Sequence, residues 1–241
     1  MIRSLLVFAT LLFLAIPAAV VLIPLALVTR DVRLLYAVGC WIPQAAMRVA
    51  GISLCIEGRE QIPGGRACIF MANHISNLDP PALLPNLPGR TVVFIKRSLA
   101  KFPILGYAFK LASFIPVDRD GQIESAQQAV ADARHVLSSG LHITTFVEGT
   151  RSQDGRLLPF KKGPFYLAKE SGALCIPVSI YGTETILPRG SLRIRPGIAH
   201  IIFHSPVDPA AHETRDELSA AVRASIASGL PEWMRTGQSA N

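Results

Sequence analysis

The chain has 241 residues, half of them hydrophobic and only 17% charged, with a formal net charge of +7 and a mean hydropathy of +0.37. That is greasier than an ordinary soluble domain, and the length suits one large core or one domain with an appendage. The basic balance favours anionic membrane surfaces and phosphorylated substrates, while the absence of a basic helix, an RNP-type strand or zinc-finger spacing excludes a nucleic-acid module.

Much of the apolar excess lies at the N-terminus. Between residues 5 and 28 only Thr10, Pro17 and Pro24 interrupt a hydrophobic run. As a helix the run spans ~36 Å, enough for a hydrocarbon core of ~30 Å. A cleaved signal peptide, with Arg3 as its basic region and Ala18-Ala19 at the cleavage site, is the competing reading. The run is too long for a typical signal h-region, so an uncleaved anchor is expected. Pro17 allows a kink or a re-entrant hairpin. Arg30 and Arg33 outnumber Arg3, which puts the C-terminal side in the cytoplasm. Residues 34–49, with Tyr36, Trp41 and Met47, read as an interfacial amphipathic segment broken at Pro43.

Beyond Gly51 short β-rich runs alternate with helical stretches. Strands are expected at 52–56, 67–72, 91–96, 114–117, 141–147 and 174–180, with a late hairpin formed by 192–195 and 198–204. Helices are expected at 98–112 with a break at Pro103, at 123–137 stopped by Gly140, and at 213–228. This order predicts an α/β fold, a layered mixed sheet flanked by helices behind an N-terminal membrane-associated helical segment. Residues 1–50 are the anchor and interfacial segment, and 51–241 the α/β domain.

Two segments carry the chemistry. Asn73-His74-Ile75-Ser76-Asn77-Leu78-Asp79 follows a strand and places a base five residues before an acid. Five helical steps leave two side chains roughly 140° apart, so a turn rather than one helix face must join them. Pro80-Pro81 then suits the first turn of a helix. Imidazole, with an ordinary pKa near ~6.5, accepts a proton at neutral pH, and a carboxylate on its other nitrogen fixes the tautomer. Asp79 also has the position to cap the helix, and the two roles are compatible. The second segment, Phe146-Val147-Glu148-Gly149-Thr150-Arg151-Ser152, leaves a strand through a glycine turn ending in a cation able to hold a phosphate. Its plain alternative is a surface turn closed by a Glu148–Arg151 salt bridge.

These two segments, in this order behind an apolar N-terminus, resemble the glycerolipid acyltransferases, specifically the bacterial lysophosphatidic acid acyltransferases. Between them Lys96-Arg97-Ser98-Leu99, Pro103-Ile104-Leu105-Gly106 and Phe114-Ile115-Pro116-Val117-Asp118-Arg119 resemble the family's second block. Val147 stands where the family commonly has proline. The resemblance covers roughly residues 50 to 205. It implies His74 and Asp79 as the catalytic pair, and Lys96, Arg119, Glu148, Gly149, Thr150 and Arg151 as residues binding the acceptor phosphate. Ile176-Pro177-Val178 resembles a fourth block that shapes an acyl pocket, and reads equally well as a buried strand. Lys161 and Lys162 suit phosphates of an acyl carrier or plain solvent.

The resemblance implies transfer of an acyl group from acyl-CoA or acyl-carrier protein to lysophosphatidic acid at the cytoplasmic (inner) membrane, among membrane lipids, with no cofactor. Another lysolipid acceptor and a non-catalytic lipid-binding membrane protein are the alternatives. No G-x-S-x-G elbow supports a hydrolase. Cys40, Cys55, Cys68 and Cys175 lack C-x-x-C spacing and read as reduced thiols. His200 and His204 lack the glutamate of a helical zinc motif, so no metal is expected.

Overall fold

The structure, a computed structural model, describes residues 2–117 and 123–235. Arg119 lies outside the described residues. Seven strands form one sheet: β1 Ile52–Glu57, β2 Cys68–Ala72, β3 Thr91–Lys96, β4 Ile115–Val117, β5 His142–Phe146, β6 Leu174–Tyr181 and β7 Gly197–Phe203. Their spatial order is β1-β7-β6-β2-β5-β3-β4. The five strands from β6 to β4 are parallel, and β7 runs antiparallel to β6 while pairing parallel with β1. The sheet is therefore mixed, as expected.

Helices cover both faces, which is why the central strands read as unbroken apolar runs rather than alternating ones. All five residues of β2 are fully buried, and the pleat sends them alternately to two cores. Ile69 and Met71 join Val136, Phe165, Leu167, Val222 and Ile226 from α6 (Ile123–Ser138), α7 (Lys162–Ser171) and α9 (Arg215–Gly229). Cys68, Phe70 and Ala72 join Met47, Ala82, Leu83, Val178 and Phe203 on the opposite face, under α2 (Arg33–Val49) and α3 (Asp79–Leu83). The break expected at Pro103 separates α4 (Arg97–Ala100) from α5 (Leu105–Leu111). α9 starts with a capping box in which Thr214 and Glu217 satisfy each other's backbone amides. Two further four-residue helices, α8 (Thr183–Ile186) and α10 (Glu232–Arg235), and three short 3-10 turns at 59–61, 84–86 and 209–211 are also present.

Two expectations fail. The late hairpin does not form: residues 192–196 are a loop, pinned by Arg195 N–H to Ile186 O at 2.9 Å, and β7 pairs instead with distant β1 and β6. Nor does Pro43 break the second helix. α2 runs through it, held by Ile42, Ala46 and Met47, which are buried, so packing overrides the missing amide.

The N-terminal helix α1 (Ile2–Thr29) is long and apolar enough to cross a membrane, and of its residues only Val7 and Ala26 are buried. Its start is nevertheless held by the domain. Arg3 Nη1 donates to Ala50 O at 2.9 Å, Ile194 N–H donates to Ser4 Oγ at 2.9 Å, and Val7 is buried beside Ala46 and Met47. The chain reverses at residues 30–32, with Arg30 at φ 55°, and α2 returns along α1. Tyr36 Oη accepts from Thr91 N–H at 3.1 Å, tying the start of α2 to the start of β3. The re-entrant hairpin that Pro17 allowed does not form: α1 is continuous through Pro17 and Pro24, and the chain reverses only at residues 30–32.

Candidate active site

The parallel strands β6, β2, β5, β3 and β4 all end on one edge of the sheet, and every described candidate residue lies there. Ligand sites of open parallel sheets form outside these carboxyl ends. The site begins with Asn73, one residue beyond β2. Its Nδ2 donates to Ile180 O at 2.8 Å and its Oδ1 accepts from Ile180 N–H at 2.7 Å, a two-point clamp onto β6. His74 comes next and is fixed on three sides. Its N–H donates to Glu148 Oε1 at 2.9 Å, its carbonyl accepts from Ser152 N–H at 2.9 Å, and its ring stacks on Phe146 with centroids 4.2 Å apart.

His74 Nδ1 lies 2.8 Å from Asp79 Oδ2. The turn that the spacing demanded is built by the aspartate itself. Asp79 is fully buried, and the same Oδ2 accepts from Ile75 N–H at 2.7 Å and Ser76 N–H at 2.8 Å. Oδ1 accepts from Thr183 Oγ1 at 2.6 Å. Asp79 therefore binds the loop before α3 and makes no capping bond to the helix amides, so the capping alternative is not realised. An ionised acceptor opposite Nδ1 assigns the proton to that nitrogen and leaves Nε2 as the free base. Nε2 has no partner among the described residues, and the imidazole side chain is 11% exposed, so it opens on one side only.

The second segment is not a surface turn. Glu148 is 1% exposed, and its two oxygens accept from His74 N–H and from Leu158 N–H, each at 2.9 Å. It forms no salt bridge to Arg151. The family resemblance gave Glu148 to the substrate; in the structure it holds the backbones of the two site loops instead. Burial pushes its carboxyl up to about 7, against the two amide bonds and Arg223, which pull it down. Arg223 sits in the same layer, donating to Leu158 O at 2.7 Å and Leu157 O at 3.2 Å above the Phe160 ring. Gly149, at φ 70°, donates its N–H to Phe146 O, and a Cβ there would lie 3.0 Å from Lys161 Cγ. Glycine is required at this turn.

Of the expected phosphate ligands, Arg151 is half-buried, and its carbonyl accepts from Arg189 Nη1 at 2.7 Å. Its guanidinium has no partner among the described residues, so it is free to take an anion. Lys96 ends β3 and is exposed, as is Thr150. β3 lies two strands from β2, about 10 Å at ordinary strand spacing, so Lys96 and His74 flank one short stretch of edge. Ile176 and Val178 are fully buried in the core under α2 and α3, which favours the plain strand reading of the fourth block. Lys161 and Lys162 are exposed.

Three residues escape a reading of the sequence alone. Thr183, 104 residues from Asp79, has no local signal. Asn73 lies inside the histidine motif, but its partner Ile180 is 107 residues away. Phe146 looks like the end of any strand until the His74 ring is laid on it.

Two outcomes follow from this geometry. Glu148 has an ordinary carboxylate value of 4.5 when unfolded and about 7 when folded, so the native state binds the extra proton between these limits. Its contribution is fully present below pH 4.5 and is lost as pH rises through 7, a fall of about 3 kcal/mol in unfolding free energy. Glu148→Gln removes this dependence, and denaturant titrations at pH 5 and pH 8 check it: the parent should differ between the two and the variant much less. Thr183→Val leaves Asp79 Oδ1 buried without its donor, which costs about 1–3 kcal/mol. Thr183→Ser should restore stability in thermal denaturation, since the hydroxyl and not the methyl carries the bond.

The family model described as Acyltransferase matches residues 53–181. A 1-acyl-sn-glycerol-3-phosphate acyltransferase of Limnanthes douglasii is 32% identical over 160 residues, which are 66% of this chain and 56% of that protein. One of the same name from Borreliella burgdorferi is 32% identical over 164 residues, 68% of this chain and 61% of the relative. The chain thus spans little more than half the length of such curated relatives. The crystal structure of the 1-acyl-sn-glycerophosphate (LPA) acyltransferase PlsC from Thermotoga maritima matches with a TM-score of 0.80 at 26% identity, covering 99% of both chains. With the family model matching more than half of its length, and His74 and Asp79 joined within that stretch, the chain belongs to the Acyltransferase family.

Proposed function

We propose that the protein transfers a fatty acyl group from an acyl thioester, acyl-CoA or acyl-carrier protein, to the free hydroxyl of 1-acyl-glycerol-3-phosphate, giving phosphatidic acid. The His74–Asp79 contact at the carboxyl edge of the sheet carries this reading. In the proposed step His74 Nε2 takes the proton of the acceptor hydroxyl as its oxygen attacks the thioester carbonyl. Asp79, buried and negatively charged, stabilises the imidazolium that forms. The tetrahedral intermediate collapses, the carbon–sulfur bond breaks, and the leaving sulfur takes the proton back from His74. No covalent enzyme intermediate is needed, because the substrate hydroxyl stands where a serine protease places its serine.

The acceptor's phosphate is assigned to Arg151 and Lys96 and, on the family pattern alone, to Arg119, with Gly149 and Thr150 lining the approach. An unpaired guanidinium on a buried-rimmed turn supports the role of Arg151. The reaction needs no cofactor beyond its co-substrate. Residues 1–50 serve as the membrane-associated hairpin and residues 51–241 as the catalytic domain. The exposed apolar surface of α1 supports a membrane location. Four free cysteines and thioester donors made in the cytosol favour the cytoplasmic face of the inner membrane.

The reading is tested by supplying the purified protein in vesicles with lysophosphatidic acid and each donor, and identifying products by mass. Phosphatidic acid is expected; a different acylated lipid would reassign the acceptor, and free fatty acid alone would overturn acyl transfer to an alcohol. In the same assay His74→Ala should lower kcat by at least ~10²-fold with the fold intact. Arg151→Ala should reduce kcat/KM by about 2–4 kcal/mol, a loss that shrinks for an acceptor lacking phosphate.

A further inference from the structure

Residues 91–117 contain Lys96, Arg97, Lys101 and Lys110 and no acidic residue. Within this stretch α4, α5 and the turn between them present Leu99, Phe102, Ile104, Leu105 and Tyr107 to solvent, each between 39% and 56% exposed. Single exposed apolar residues are ordinary, but five large ones in nine positions make a patch of the kind that marks an interaction surface. The patch is rigidly built. A Cβ on Gly106 would lie 2.1 Å from Ala100 O, so α4 and α5 touch backbone to backbone, and Gly106 N–H donates to Phe102 O at 2.8 Å. Ile104 sits at φ 59°, a rare region for a β-branched residue, and is turned outward rather than into the core.

Handedness fixes which side of the sheet the patch occupies. The step from β2 to β3 passes through α3, on the face that α2 covers, while β4 to β5 and β5 to β6 move the other way and pass through α6 and α7 on the opposite face. The step from β3 to β4 has the direction of the first, so a right-handed crossover lays α4 and α5 on the α2–α3 side. That side also carries α1, with Phe13 79% and Val20 65% exposed. By this rule the patch faces the side of the hairpin, while the other flank of α5 lines a cavity with Asp132, His135 and Val136 of α6 at the sheet edge.

We propose that the α4–α5 segment is a second membrane-docking surface, which inserts Phe102 and Ile104 at the headgroup boundary of an anionic bilayer with Lys101 and Lys110 against its phosphates. The occupant follows from the chemistry: an apolar centre, four cations and no acid within residues 91–117, and the apolar helix α1 in the same chain. This rests on the reading of α1 and α2 as membrane-inserted. Because α4 directly follows Lys96 at the candidate site, the bilayer would meet the protein where the acceptor enters.

The test uses the full chain in vesicles of phosphatidylcholine and phosphatidylglycerol brominated near the headgroup end of the acyl chains. Phe102→Trp adds an emission that is read against the parent, which has Trp41 and Trp233. It should be quenched by half or more, while emission added by Tyr166→Trp on α7, in the opposite layer, should not. No quenching at 102 beyond that at 166 would overturn the proposal. Ile104→Glu should lower turnover of a bilayer acceptor at least tenfold and that of a short-chain soluble acceptor less than twofold; equal losses would also overturn it. Quenching at 102 without turnover of any acceptor would reject acyl transfer and leave the docking surface standing.

Discussion

The carboxylate of Asp79 is shut away from water and accepts four hydrogen bonds, from His74, Ile75, Ser76 and Thr183. A buried charge is tolerated only when its lone pairs are engaged in this way, and the requirement dictates the local fold. Two donors are consecutive backbone amides, so the chain must coil tightly around the carboxylate between β2 and α3. The third is the imidazole, held in one tautomer by the same bond. The fourth arrives from the far end of β6, so the central strands must be correctly assembled before the turn is satisfied. Catalytic geometry and sheet assembly therefore share a constraint.

Around this centre the protein uses backbone, not bulk, to hold its parts. Asn73 clamps the start of the loop to β6, and Glu148 fastens the β2 loop to the loop after β5. Asp79 is surrounded by donors, whereas Glu148, with two amides and heavy burial, is drawn toward its neutral form near neutral pH. Keeping Glu148 close to neutral limits its repulsion of Asp79, which adds to the upward push on it.

What could be read from the chain was what is local. The histidine and aspartate lie five residues apart, the glycine turn ends in its own cation, and the break at Pro103 is visible in the residues themselves. What failed depended on distant partners. Residues 198–203 alternate like one arm of a hairpin, yet their register is set by Ile52 to Glu57 and by Val178 to Tyr181, far along the chain. Pro43 looks like a break until the buried Ile42 and Met47 around it are counted. The burial of Glu148 was hidden for the same reason: a carboxylate beside glycine and arginine reads as a surface group, and only the assembled sheet shows the amides it serves.

The contact between Ser4 and Ile194 sets an order of events during synthesis. The apolar helix is made first, but one of the groups that seats its start, the amide of Ile194, is 190 residues away. At 5–20 residues per second, roughly 10–40 s separate the two. Throughout that interval the helix has no finished domain against which to dock, and its apolar surface must reside in lipid or under a chaperone. The seating of the helix start is thus completed only after the segment carrying Ile194 has been made, and the last part of the domain closes onto a helix that was made first.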